Sequence, residues 1–179
     1  MPIQPSDLEK LLDPGFLGDV ESRPVEEVRA ARAELQQAEV ALSYVRRLVQ
    51  GRLDIVEAER RGRADGTDSG SDDPVQRLPE ILGDTTRPPG PGRLPMQIDP
   101  GEDAAALVSE IDHAVNPGKL TALTALNESE LDAVAAQLRD IEREVSGQRR
   151  ALHEQLDALQ AELVRRYRSG EASVDALLT

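Results

Sequence analysis

The sequence has no cysteine and no tryptophan, and its aromatic residues are only Phe16, Tyr44 and Tyr167. Without cysteine there are no disulfides, no thiolate chemistry and no cysteine-based zinc sites. With so few aromatics, a deep globular core is not expected; the 39% hydrophobic content is mostly Ala, Leu and Val at helical spacing, which fits a thin helical body. Lysine is scarce as well: Lys10 and Lys119 are the only two, and the other basic residues are arginine. Arginine suits planar, bidentate recognition better than lysine does. No apolar run reaches the length of a transmembrane helix. The start, Met1-Pro2-Ile3-Gln4-Pro5, lacks a basic region followed by an apolar stretch, so no secretion signal is expected and a cytoplasmic location follows by default. The formal charge is -13. That surplus of acid argues against direct, non-specific nucleic-acid binding. It permits a basic protein partner, or a small anionic ligand where local arginines supply the field.

What the chain does have is helical periodicity. Residues 1–22 are short and turn-rich; Ser6 to Leu12 predicts a turn of helix with Ser6 as N-cap, stopped by Asp13-Pro14-Gly15. Phe16, Leu17 and Val20 offer apolar groups either to cover an end of the main body or to contact a partner. Ser22-Arg23-Pro24 and the acids Glu26 and Glu27 start a long helix over 23–62. Its seam is Val28, Ala31, Leu35, Ala38, Leu42, Val45, Val49 and Val56. Residues 63–99 read as an acidic, Pro/Gly-rich disordered linker, with Val75 to Leu82 as an apolar island. Residues 100–126 hold a short helix through Leu107, Ile111 and Val115, then a connector. Asn127 and Glu130 have the spacing of a capping box, opening a second long helix over 127–169. Its seam is Leu131, Val134, Leu138, Ile141, Val145, Leu152 and Leu159, and Ser169-Gly170 closes it. Residues 170–179 form a tail. Each long helix has about 38–42 residues, or roughly 60 Å. Either alone would expose its seam. The fold class is therefore all-α: a long antiparallel coiled-coil helical hairpin with a short additional helix and a disordered linker.

The two helices follow one plan. The stretch from Glu39 to Asp54 recurs from Glu142 to Asp157. Glu39 matches Glu142, Ser43 matches Ser146, Arg46 matches Arg149, Gln50 matches His153, and Asp54 matches Asp157. Steps of four, three, four and four keep these side chains on one face. At about 100° per residue they span about 80° of arc beside the seam. Helices paired through their seams would set both polar stripes along one groove. Charged flanks of a coiled coil are usually Glu and Lys; a repeated set of Ser, Arg, Gln or His, and Asp is less expected from that cause. Gly51, beside Gln50, either is a tolerated exposed glycine or lets a flat ligand approach the backbone.

Enzyme chemistry fits this pattern poorly. Carboxylates are present, but nothing excludes water from the open face of a slender helix pair. His113 and His153 lie in different elements, with no cluster at metal-ligand spacing. Ligand recognition fits better. Arg46 and Arg149 suit phosphate, the guanine O6 and N7 edge, or stacking on a base. Asp54, Asp157, Glu39 and Glu142 suit the guanine N1 and N2 donors. Ser43 and Ser146 suit phosphate or hydroxyl contacts. Two such sets suit a ligand that is itself twofold symmetric, and a cyclic dinucleotide of guanine meets both conditions. A plain structural or adaptor coiled coil, which needs only the seam, is the competing reading.

At these residues the sequence resembles the actinobacterial RsiG anti-sigma factors, also called aerial mycelium formation proteins. Their signature is Glu-x3-Ser-x2-Arg-x3-Gln-x3-Asp. The first copy fits at Glu39, Ser43, Arg46, Gln50 and Asp54. The second fits at Glu142, Ser146, Arg149 and Asp157 and departs at His153. The resemblance implies a non-enzymatic regulator on an antiparallel coiled coil that binds cyclic di-GMP, as two intercalated molecules. It implies that the liganded protein sequesters a FliA/WhiG-type sigma factor and so blocks transcription of sporulation genes. Two copies in one chain imply a form that is monomeric apart from the sigma complex.

Overall fold

The computed structural model describes residues 5–64 and 104–171. Among them the elements are all helical: α1 (Pro5–Leu12), α2 (Val25–Ala64), α3 (Ala105–Ala114), α4 (Pro117–Thr121), a 3-10 turn (Leu123–Ala125) and α5 (Glu128–Ser169). The expected linker beyond Ala64, with its apolar island, lies outside the described residues, as does the tail beyond Glu171.

The ends of these helices follow local chemistry. The expected capping box at α5 forms in full. The Asn127 N–H donates to Glu130 Oε2 at 2.8 Å, and the Glu130 N–H donates to Asn127 Oδ1 at 3.0 Å. Each side chain thus satisfies an N–H that the helix leaves without a partner. Gly170 takes φ 79°, the left-handed turn that ends α5. α2 runs two residues past the expected Arg61-Gly62 stop, to Ala64. Arg63 explains the extension: its guanidinium donates to the carbonyls of Leu126 (2.7 Å) and Leu123 (2.8 Å), anchoring the last turn. α1 begins at Pro5, so Ser6 sits inside the helix and not at its cap.

α2 and α5 pack against each other as a helical hairpin. The described residues fall into two compact units, and both long helices contribute to each. The first unit holds 5–43, 104–107 and 146–171. Here the start of α2 lies beside the end of α5, with Arg29 donating to the Tyr167 hydroxyl at 2.6 Å. Val28, Leu35 and Leu42 of α2 and Leu152, Leu159 and Leu163 of α5 are buried, with Leu8 and Leu11 of α1 and Leu107 of α3 added. The second unit holds 44–64 and 108–145. Here the end of α2 lies beside the start of α5, with Arg60 paired to Asp132 at 2.5 Å. Its core is Val45, Val49 and Val56 with Leu131, Val134, Leu138 and Val145, closed by Ile111, Val115 and Leu123. The helices therefore run antiparallel within each unit. Of the two expected seams, only Ile141 is less than fully buried.

One flank of the first unit is closed by the segment before α2. Arg166 of α5, 4% exposed, donates to the carbonyls of Arg23 (2.6 Å), Val20 (2.7 Å) and Glu21 (3.1 Å). Its Nε pairs with Glu162 at 2.5 Å. Arg23 in turn donates to the Phe16 carbonyl, and Gln155 to that of Asp13. A buried guanidinium is tolerable because every face of its fork meets an acceptor. Hydrogen bonds from Arg165 and Arg166 hold the Glu162 carboxyl down at about 2, against an ordinary 4.5. Its stabilisation is then complete above the unfolded value and fades as pH falls through the folded one. We expect the Tm difference between the native chain and Glu162→Gln to be constant from neutral pH down to about pH 5, then to close toward about pH 2. Melting curves across that range check it; a gap that stays open at the acid end contradicts it.

Gly51 and Gly147 stand in mid-helix, and a Cβ built on either meets nothing within 4 Å. Neither is required by packing. Gly51→Ala is therefore expected to stabilise the fold by about 0.5–1 kcal/mol through the unfolded chain. Chemical denaturation reads it directly, and a loss of stability would refute the reading of an open site.

Candidate functional site

The repeated polar stripe forms two sets of contacts, one in each unit. Within each set, a glutamate on one long helix holds the arginine of the other. In the first unit the centre is Glu39 of α2. Its Oε1 accepts from Ser43 Oγ one turn along at 2.6 Å, and from Arg149 Nε (3.2 Å) and Nη2 (2.9 Å) across the seam. His153 Nε2 lies 3.4 Å from the same oxygen and 3.4 Å from Arg149 Nη2. In the second unit the centre is Glu142 of α5. Its Oε1 accepts from Arg46 Nε at 3.2 Å and Gln50 Nε2 at 3.5 Å, both from α2.

The two sets use equivalent positions with the helices exchanged. Glu39, Arg149 and His153 answer to Glu142, Arg46 and Gln50. The match of His153 with Gln50, read from spacing, is therefore also a match of place: each faces the glutamate of the opposite helix beside the arginine. Ser146 lies on the same face of α5 and is half-buried. Asp54 is half-buried and Asp157 exposed, and neither side chain takes part in an ion pair or side-chain hydrogen bond among the described residues. Each set thus combines an arginine held by an acid with a further carboxylate left available one or two turns along.

Burial and charge shape these groups. Burial alone would raise the Glu39 carboxyl, but the Ser43 hydroxyl and the Arg149 guanidinium outweigh it and hold the carboxyl below its ordinary value. Glu39 is therefore an anion at neutral pH. The pairs are only partly sheltered: side-chain exposure is 25% for Arg149 and 33% for Arg46. Ion pairs this exposed contribute about 0–1 kcal/mol. An anion with better geometry than a single carboxylate oxygen, such as a bidentate phosphate, could displace the glutamate at small cost.

The opposite flank of the seam carries structural contacts. At about 100° per residue, Arg52 falls on the far side of α2's seam from Arg46. It pairs there with Asp112 of α3 at 2.5 Å. Gln155, Glu162 and Arg166 occupy the corresponding flank of α5 and hold the segment before α2.

In the second unit the stripe continues beyond Asp54 in a way that the repeat did not signal. Glu57 lies on the same face and pairs with Arg139 of α5 and with Arg60 at 2.9 Å; Arg60 also reaches Asp132. The signal was available, since Glu57 follows Asp54 by three residues. No equivalent appears in the first unit, where Gln160 stands at the place of Glu57 and Gln36 at that of Arg139.

Among the described residues no group of His, Asp and Glu is placed to hold a metal ion, and no helix is long and apolar enough to cross a membrane. A model of the protein family described as RsiG-like matches residues 14–82 and 117–179, well over half of the chain and the whole of both copies of the stripe. Among curated proteins no relative matches.

Proposed function

Since the chain belongs to the RsiG-like family, we propose that it is an anti-sigma factor armed by cyclic di-GMP, sequestering a FliA/WhiG-type sigma factor and so blocking sporulation genes. The observation that carries this reading is the doubled set of contacts: two matched glutamate–arginine pairs, each made across the two helices and each beside an available aspartate. Cyclic di-GMP has two identical halves, each with one phosphodiester and one guanine. Each set supplies an arginine for a phosphodiester or guanine edge and a carboxylate for a guanine, so two sets suit two molecules of ligand.

The residues divide the work by chemistry. Arg46 and Arg149 leave their glutamates and meet a phosphate or the guanine O6 and N7 edge, each bidentately. Asp54 and Asp157 accept from the guanine N1 and N2 donors. Ser43, Ser146, Gln50 and His153 complete the hydrogen bonds, and Glu39 and Glu142 are released to accept in turn. We take the ligand to enter as two intercalated molecules, which lets bases stack on each other where the chain offers few aromatic rings. The reading is regulatory and involves no catalysis. The net charge of -13 complements the basic DNA-binding face of a sigma factor and steers encounter with it.

Isothermal titration of the free protein with cyclic di-GMP tests the ligand. Saturable uptake of two molecules per chain is expected, and no uptake with or without sigma factor would remove it. Asp54→Asn with Asp157→Asn is expected to cost about 1–3 kcal/mol of preference for the guanine ligand over its adenine analogue. Unchanged discrimination would contradict the aspartate role. A coiled-coil adaptor that needs no ligand would capture its partner equally well in the absence of nucleotide.

A further inference from the structure

The two sets of contacts differ at one functional group. In the second unit, Gln50 beside Arg46 and Glu142 is an amide, whose hydrogen bonding does not change with pH. In the first unit, His153 takes that place beside Arg149 and Glu39, 3.4 Å from each. An imidazole has two states there. Neutral, its free ring nitrogen accepts from the Arg149 guanidinium. Protonated, it donates to Glu39, competes with Arg149 for that carboxylate, and leaves Arg149 less committed.

We propose that ligand binding at the Glu39–Arg149–His153 set is proton-linked: a proton on His153 frees Arg149 and adds a second cation for an incoming phosphodiester, while the Gln50 set binds without proton uptake. The inference rests on the proposed cyclic di-GMP site and assigns its two sets different regulation. The charged groups around His153 support it. From α2, Glu39 faces it directly, and Arg32 lies on the same helical face two turns before Glu39. From α5, Arg149 stands one turn before His153 and Asp157 one turn after, with Arg150 on the adjoining face. A bound phosphodiester adds negative charge to this cluster and neutralises its arginines. Glu39, held below the ordinary carboxyl range by Ser43 and Arg149, stays ionised through the interval in which a histidine titrates, so it does not mimic the effect.

His153 is half exposed, its side chain 52% accessible, so exchange of the proton is not gated by burial. The chain has only two histidines, and His113 lies on α3 with its Nδ1 2.6 Å from the Ser109 carbonyl. Their ring signals are therefore separable by a His113→Gln variant.

The test has two linked readouts on the full chain. Histidine ring Cε1–H resonances are followed against pH with and without saturating cyclic di-GMP, and affinity is measured by titration calorimetry between about pH 8 and pH 5.5. The expected result is a rise of about one unit in the His153 titration midpoint on binding, matched by an affinity up to about tenfold tighter at the acid end. His153→Gln, which installs the residue already found in the other set, should bind with a flat pH profile. Adding Gln50→His to that variant should restore the slope. Binding whose affinity does not change with pH, with a His153 midpoint that the ligand does not move, overturns the proton link and leaves the proposed site standing. Absence of binding at every pH, in the native chain and in His153→Gln alike, overturns both.

Discussion

Replacing Arg46 and Arg149 together with alanine is expected to abolish cyclic di-GMP-dependent capture of the sigma factor while leaving the helical signal intact. Each arginine pairs across the seam with the glutamate of the opposite helix, and each is a natural partner for a phosphodiester or a guanine edge. Losing a charged hydrogen-bond partner from a bound complex costs about 2–5 kcal/mol. Two such losses move affinity out of a working range at about 1.4 kcal/mol per tenfold. The fold should not suffer. Both pairs are partly exposed, and such pairs contribute about 0–1 kcal/mol to stability. The seam beneath them is apolar and untouched. Circular dichroism and sigma pull-down on the same sample separate the two effects. Full capture by the double variant would contradict the assignment of these arginines, and collapse of helicity would show that they hold the fold and not a ligand.

The second large effect concerns the seam itself. Leu35 and Leu138 stand at matching places of the repeat, one in each unit, and both are 0% exposed. Truncation to alanine at either removes three heavy atoms from a closely packed layer that has few other large side chains to refill it. The cost expected is about 2–5 kcal/mol each, the range for a buried leucine. Because the two sites are in separate units, their effects should add in denaturant unfolding. A small cost at one and a large cost at the other would mean that one unit relaxes around the gap. Values under about 1 kcal/mol at both would contradict a tight seam.

Much of this architecture was readable in the sequence because period alone fixes which residues a helix buries. Val28, Leu35, Leu42, Val49 and Val56 recur at helical intervals, and each is buried. The capping box at Asn127 was readable for a similar reason: both partners lie within four residues of each other. The pairing of Glu39 with Arg149 was not. Its register depends on how two helices slide past each other, and neither helix carries that information by itself. The grip of Arg166 on the carbonyls of Val20, Glu21 and Arg23 was also hidden, since backbone acceptors leave no mark on residue type. Arg52 shows the same limit. It sits between Gly51 and Leu53 close to the repeated stripe in sequence, yet it pairs with Asp112 of α3 on the other flank. Proximity in sequence suggested neither that partner nor that side.

The stripe illustrates the opposite case. Its ten residues were chosen by spacing and repetition, and the structure places six of them in direct contact with one another: Glu39, Arg149 and His153 in one set, Glu142, Arg46 and Gln50 in the other. Ser43 joins the first set through Glu39. Asp54 and Asp157 stand apart from these contacts. For groups proposed to receive the guanine N1 and N2 donors, availability is the useful state, since no internal bond must first be broken.

The most direct measurement captures the sigma factor on this protein across a series of cyclic di-GMP concentrations and quantifies the nucleotide retained in the washed complex. Capture should rise and saturate with the nucleotide, and the complex should retain about two molecules of it for each chain. Equal capture at every concentration, from a complex that holds no nucleotide, would contradict the claim that cyclic di-GMP arms the protein for capture.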